Sequence, residues 1–387
     1  MKAPVHQTIA YALTDLGIEV ITNVPGYGAW GTFQAFNEIS QKNNKISFHE
    51  ELAYSISHAA SILGKRSATL IKSQGLMKAA NSVTDSLYTS INAGFVTFVF
   101  DDATGQHSDN ILETSTILEG LQIPFIVPKL QSIYEQVVAA YQLSEKKKMP
   151  VVFLIDTAKL QEEIEFKRRD SLKKTFDYKR DVYSHVVHPS LSDYQYKVFL
   201  SKKLGTDPVL ISRPPLPLVP ENLTPALRST AEKYLPFFEV FKDVKKDFTT
   251  GDTSSSSAFA LPPFNCIDLV TYMGGSIPLA IGAYLAGCRN VWALTGDFGF
   301  ISAGHLGLIE ALNREIPLKV VIFYNKQAAA TGGQVIHKKI IMRILAGYEK
   351  YIVHLQNPNN PFEVSEILNE VNNSNELKIV LADYPES

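Results

Sequence analysis

The residues with most to offer chemically lie in the last third of the chain. Leu294-Thr295-Gly296-Asp297-Phe298-Gly299-Phe300 closes an apolar run with Gly-Asp. Twenty-five residues then separate Gly299 from Asn325, which closes the next apolar run, Val320-Val321-Ile322-Phe323-Tyr324. That spacing fits strand, helix, strand, and so puts Asp297 and Asn325 at the carboxyl ends of neighbouring parallel strands, where open α/β sheets hold ligands. A carboxylate and an amide oxygen are hard ligands; with diphosphate oxygens they suit an octahedral Mg2+ ion. Glycine at 296 and 299 lets the backbone approach a diphosphate closely.

A second group of residues could move protons. Phe48-His49-Glu50-Glu51-Leu52-Ala53 places two acids where a strand enters a helix, and a carboxyl group so held can act as acid or base. His107, in the polar connection Asp101-Asp102-Ala103-Thr104-Gly105-Gln106-His107-Ser108, could donate a proton or hold a carboxylate. Such loops also carry histidines that are simply solvated. His49, His58, His305 and His337 have weaker claims, and His58 on a helix face reads as structural. Gly26-Tyr27-Gly28-Ala29-Trp30-Gly31 fits the dinucleotide pattern G-x-G-x-x-G, with Glu50 about where a ribose-binding acid would stand. That leaves a nicotinamide enzyme open. Pro25 and the bulky Tyr27 and Trp30, however, suit a substrate-lining wall better than a tight diphosphate turn.

The Gly296-Asp297 and Asn325 pair resembles the Gly-Asp-Gly … Asn signature of thiamine diphosphate enzymes, with Phe298 standing where the family usually has its second glycine. Leu261-Pro262-Pro263-Phe264-Asn265-Cys266-Ile267-Asp268, followed by Tyr272-Met273-Gly274-Gly275-Ser276, resembles the segment before that signature, most closely in the large subunit of indolepyruvate ferredoxin oxidoreductase. Ala330-Thr331-Gly332-Gly333-Gln334 and Lys72-Ser73-Gln74-Gly75 resemble elements of phosphonopyruvate and sulfopyruvate decarboxylases. The resemblance implies thiamine diphosphate and Mg2+ as cofactors, with Asp297, Asn325 and the main-chain carbonyl of Gln327 as metal ligands. Met273 would be the apolar wedge under the cofactor; Gly296, Gly299, Gln74 and Gly75 would line it. Glu50 would bond N1′ of the aminopyrimidine, and His107 would face the substrate. These families also carry a Pro-Gly loop where Pro25-Gly26 stands.

These residues need two sheets to position them. Short apolar runs at 19–24, 46–49, 68–71, 95–100, 125–127 and 151–155 read as strands, and the segments 6–16, 29–41, 50–63, 76–93 and 111–121 as helices. From 166 to 240 the rhythm weakens through charge clusters and the proline-rich Arg213-Pro214-Pro215-Leu216-Pro217, with a helix over 226–235. Strands return at 291–294, 318–324 and 378–382. The expected fold is α/β: two doubly wound parallel-sheet domains of the thiamine diphosphate-binding type, a pyrimidine-binding domain over 1–165 and a diphosphate-binding domain over 241–387, joined by a linker over 166–240.

Composition sets bounds. Of 387 residues 45% are hydrophobic and 20% charged, with a net charge of −2, which gives no reason to expect nucleic acid or an anionic membrane as partner. Two cysteines, Cys266 and Cys288, cannot form an iron–sulfur cluster within this chain. No leader or membrane-spanning run is read at the N-terminus or elsewhere, so a cytoplasmic enzyme is expected. The resemblance implies a homodimer or homotetramer, since such enzymes share the cofactor between subunits. It points to non-oxidative decarboxylation of a small 2-oxo acid, with carboligation open to the same site. The alternative is a thiamine-binding subunit of a 2-oxo acid ferredoxin oxidoreductase, whose electron relay a partner would supply. Lys72, Lys78 and Lys326 would suit an acidic substrate tail, Tyr27 and Trp30 an aromatic or apolar one. Ala328-Ala329-Ala330 departs from the polar residues of phosphonopyruvate decarboxylase.

Overall fold

Strands buried on both faces must be apolar end to end, and this chain supplies such runs twice. The computed structural model describes residues 1–385 apart from Ser171 and Lys245, and at Ala226 the main chain only. Ser171 in the expected linker, and Lys245, Glu386 and Ser387 in the expected second domain, lie outside the described residues. The chain divides into two units, Met1–Lys179 with Ser201–Thr206, and Arg180–Leu200 with the residues from Asp207 on.

The first unit holds β1 (Lys2–Pro4), β2 (Val20–Asn23), β3 (Ser67–Lys72), β4 (Phe95–Asp101), β5 (Phe125–Ile126), β6 (Val151–Asp156) and β7 (Glu163–Glu165). Five of these form a parallel sheet in the order β2-β3-β4-β6-β5, while β1 and β7 pair antiparallel. The helix Val5–Leu16 buries Val5, Ile9, Leu13 and Leu16 and stops at Gly17, whose φ of 71° closes a left-handed cap. The helix Glu50–Ile62 is buried on nearly every side after its first turn. Small residues permit that: Ser57 Oγ donates to Ala68 O at 2.9 Å, and Thr22 Oγ1 to Ala53 O at 2.8 Å.

The second unit holds β8 (Phe248–Gly251), β9 (Leu269–Val270), β10 (Val291–Gly296), β11 (Lys319–Tyr324), β12 (Gln327–Ala328), β13 (Gln334–Val335), β14 (Ile352–Leu355) and β15 (Lys378–Asp383). Six make a second parallel sheet in the order β14-β15-β11-β10-β8-β9. Two parallel-sheet α/β units are as expected. No helix among the described residues is long and apolar enough to cross a membrane.

Several boundaries differ. Residues 46–49 form no strand; Ser47 N–H reaches the carbonyl of Asn23, the last residue of β2, at 2.8 Å. The helix read over 76–93 runs from Ser73 to Tyr88, because Asn92 and Ala93 give their N–H groups to Ser61 O instead. The helix read over 111–121 starts at Thr114, whose Oγ1 bonds Asp101 Oδ1 at 2.7 Å. Strands β8, β9 and β14 of the second parallel sheet are additions, as are the short β1, β7, β12 and β13; β8 (Phe-Thr-Thr-Gly) is too polar to stand out by composition.

The linker reading changes most. Arg66 Nη1 holds Leu172 O at 2.6 Å, and Lys202 Nζ holds Ser90 Oγ at 2.7 Å, so 166–179 and 201–206 pack with the first unit. The helix read over 226–235 runs from Pro225 to Phe241 and is core, not spacer. Phe238 stacks on Phe259 at 3.7 Å, and Phe241 meets Trp292 edge-on at 5.4 Å.

Candidate active site

Parallel pairing of β10 with β11 puts Gly296 opposite Phe323, so Asp297 and Asn325 emerge from adjacent strand tips. Asp297 Oδ1 accepts from Phe298 N–H at 2.8 Å, and Oδ2 from Lys326 N–H at 2.9 Å. Burial pushes its carboxyl up to about 6, against the pull of these N–H groups, and no cation pairs with it among the described residues. A carboxylate desolvated without a counter-ion is poised for a metal ion. Lys326 takes a φ of 69°, left-handed for a non-glycine, where its N–H turns onto Asp297.

Asn325 is fixed from two sides. Its Oδ1 accepts from Gln327 N–H at 3.1 Å, and its Nδ2 donates to the Tyr234 hydroxyl at 2.7 Å. Met273, Gly296, Asp297, Gly299, Asn325 and Gln327 all line one cavity of about 210 Å³, so the structure gathers the second-unit residues expected to hold cofactor and metal, whereas Lys326, His305 and His337 do not line it. Met273 and Phe298 are 39% and 44% exposed, presenting apolar surface to that space. Phe298 needs no glycine: it lies in the turn Asp297–Gly299 and is not among the positive-φ residues.

Asp252, the serines 254–256 and Tyr234 were missed from the sequence. Asp252, fully buried beyond the end of β8, accepts from Thr295 Oγ1 at 2.5 Å and Ser276 N–H at 2.8 Å. A Cβ on Gly299 would sit 2.5 Å from Asp252 Oδ2, so glycine at 299 accommodates this carboxylate as well as lining the cavity. The signal was present, since Gly251-Asp252 repeats the Gly-Asp of 296–297 at another strand end. Ser254, Ser255 and Ser256 also line the cavity, offering hydroxyl donors suited to an anion.

In the first unit, Glu50 opens its helix beside the N-terminal turn of the helix Ser73–Tyr88. A Cβ on Gly75 would lie 2.6 Å from Glu50 Cγ, so only glycine lets the two helix starts close up there. Glu50 Oε2 is buried without a hydrogen-bond partner, and its nearest cation, Lys78 Nζ at 3.4 Å, is on a side chain 61% exposed. Such a pair adds little. An orphaned buried oxygen is unusual and fits a carboxylate kept for an external donor. Glu51 points elsewhere, to Asn81 Nδ2 at 3.3 Å; burial raises its carboxyl.

Gln74 Nε2 donates to Asn110 O at 3.1 Å and Asn110 Oδ1 at 3.0 Å. His107 is exposed but held: its N–H donates to Asp102 Oδ2 at 2.6 Å, its carbonyl accepts from Lys72 Nζ at 2.5 Å, and its ring stacks 3.6 Å from Tyr27. No bond links it to Glu50. His58 is structural, buried against Phe95 and 2.9 Å from Thr89 Oγ1. The glycine loop packs on protein: Cβ atoms on Gly26 and Gly28 would meet Lys72 and Phe100 at 2.8 and 2.6 Å, so this backbone wraps side chains of its own unit. Tyr27 and Trp30 face a cavity of about 560 Å³.

Comparison with known proteins bears on both units. Residues 251–370 match the family model described as thiamine pyrophosphate enzyme, C-terminal TPP binding domain. Indolepyruvate oxidoreductase subunit IorA of Methanothermobacter marburgensis is 27% identical over 156 residues, 39% of this chain and 25% of that protein. The same subunit from Pyrococcus horikoshii is 32% identical over 103 residues, 26% of this chain and 16% of that one. The match thus spans about a quarter or less of these relatives' length. Among solved structures, the Rhodococcus jostii thiamine diphosphate-dependent 4-hydroxybenzoylformate decarboxylase superposes with a TM-score of 0.68 at 13% identity, covering 100% of both chains. A Mycobacterium smegmatis chain described as a candidate thiamin diphosphate-dependent enzyme gives 0.70, also at 13% identity, over 99% of this chain and 100% of that one. At such identity these two speak for the fold.

Proposed function

We propose, from the premise that residues 251–370 are the C-terminal TPP binding domain of a thiamine pyrophosphate enzyme, that this chain is a thiamine diphosphate- and Mg2+-dependent decarboxylase of a small 2-oxo acid. The observation that carries the reading is the cation-less buried carboxylate of Asp297 beside the oriented amide of Asn325. Asp297, Asn325 and the Gln327 carbonyl are the proposed Mg2+ ligands, an all-oxygen set of the kind that ion takes. Ser254, Ser255 and Ser256 would donate to the diphosphate, and Met273 would support the apolar part of the cofactor. When bound, thiamine diphosphate supplies a nucleophilic carbon and an electron sink for breaking the bond beside a carbonyl. Glu50 contributes the proton-handling oxygen, Oε2, which has no competing hydrogen bond. His107, stacked on Tyr27, is proposed to hold or protonate the substrate. A homodimer or homotetramer in the cytoplasm is the proposed working form.

A second reading has a specific observation behind it, since the relatives matched at 27–32% identity are named as oxidoreductase subunits. Electrons would then pass to an acceptor on a partner. A panel of 2-oxo acids, assayed for CO2 and aldehyde with and without viologen, separates the two. Aldehyde release without any acceptor supports the decarboxylase; turnover strictly dependent on the acceptor replaces it with the oxidoreductase.

A further inference from the structure

The helix Pro225–Phe241 does more than fill core. It carries Tyr234, 2% exposed, whose hydroxyl accepts a hydrogen bond from Asn325 Nδ2 at 2.7 Å. An asparagine side chain can be turned over with little change in shape, so which end faces a cation depends on its partners. Here they leave one answer. Gln327 N–H can only donate, so the atom 3.1 Å from it is Oδ1, and Nδ2 must face Tyr234. The phenol oxygen therefore accepts, leaving its own hydrogen without an acceptor among the described residues. Tyr234 lines the same cavity as Asp297.

We propose that Tyr234 is a positioning residue of the cation site: it anchors the Asn325 amide in the orientation that the Gln327 N–H sets, and presents its spare O–H to an anionic group bound beside the metal. This rests on the reading of Asp297 and Asn325 as Mg2+ ligands. The placement is rigid, because the Tyr234 ring packs 4.9 Å from both Phe323 and Tyr384. Phenylalanine keeps that packing and loses only the hydroxyl. Outer partners of this kind govern metal affinity without touching the metal.

The test uses the full chain with Mn2+ as a paramagnetic probe, titrated in the presence of thiamine diphosphate, with Asp297→Ala as control. Tyr234→Phe should weaken Mn2+ binding about 10–100-fold. In an Asn325→Asp background, where both side-chain oxygens are equivalent, the same change should cost less than about threefold, giving a clear coupling in the double-mutant cycle. Equal affinity in wild type and Tyr234→Phe, with Asp297→Ala lost, overturns the proposal while leaving the cation site standing. No binding by wild type removes both. Should Tyr234→Phe not fold, hydrogen exchange in the unmodified protein decides: the Asn325 side-chain amide, identified by its loss in Asn325→Asp, must be protected, and fast exchange contradicts the proposal.

Discussion

Asp297 with Asn325 in one unit, and Glu50 in the other, are all polar groups at strand or helix ends, yet their surroundings are opposite. Both Asp297 oxygens and both ends of the Asn325 amide are engaged, mostly by main-chain N–H groups. Glu50 Oε2 accepts no hydrogen bond and has only the exposed Lys78 ammonium near it, at 3.4 Å. Groups that must grip a fixed ion gain from being locked, whereas a group that must take up and release a proton gains from an uncommitted oxygen. The contrast separates holding from proton transfer before any ligand is considered.

That contrast can be broken or sharpened by substitution. Asp297→Ala should weaken Mg2+–thiamine diphosphate binding by more than the 10–100-fold typical of outer partners. It should also raise the melting temperature of the unliganded chain at neutral pH, since an acid held at about 6 destabilises the folded state when ionised. Calorimetry and a thermal melt check the two halves, and unchanged affinity would remove Asp297 from the site. Glu50→Gln should do the reverse, leaving affinity within about threefold but slowing turnover by about 10²–10⁴. Exchange of the cofactor C2 hydrogen in D2O, followed by NMR, reads that step; wild-type exchange in the variant would exonerate Glu50.

Smaller effects test the packing around Glu50. Gly75→Ala must displace its side chain, with a Cβ 2.6 Å from Cγ, and should lower kcat about 10–100-fold while barely changing cofactor affinity. Unaltered kcat would show that Glu50 has room to spare. The smallest effect concerns Asp85, raised to about 6 first by burial and then by the neighbouring Glu51 charge. The folded state holds this proton more tightly than the unfolded chain. Asp85 therefore favours folding fully below its ordinary value of 3.8, and that contribution is lost as pH rises through about 6. Asp85→Asn should raise the melting temperature by about 2–4 °C at pH 7.5 and by less at pH 4.5. An equal shift at both pH values would contradict this.

Much of this was legible because β10 and β11 carry unbroken apolar runs, 291–294 and 320–324, so the polar residues after them announce a strand tip. An acid opening a helix of small and apolar residues was legible too, but the choice of Glu50 over Glu51 came from the family resemblance. Tyr234 was not legible. Its helix follows a proline-rich, charged stretch that reads as spacer, and only the tertiary fold reveals that Phe237, Phe238 and Phe241 are core. The first turn of the helix Ser73–Tyr88 was also hidden, since Lys72-Ser73-Gln74 shows no apolar period. Asp252 escaped because β8, rich in threonine and ending in glycine, does not resemble a central strand in isolation.

The most direct measurement is calorimetric titration of the purified full chain with thiamine diphosphate, with and without Mg2+, and with NAD as comparison. Saturable binding of about one thiamine diphosphate per chain that requires the divalent ion, is abolished in Asp297→Ala, and has no counterpart with NAD is the predicted result. Heat with NAD alone, or none with thiamine diphosphate at any Mg2+ concentration, would contradict it.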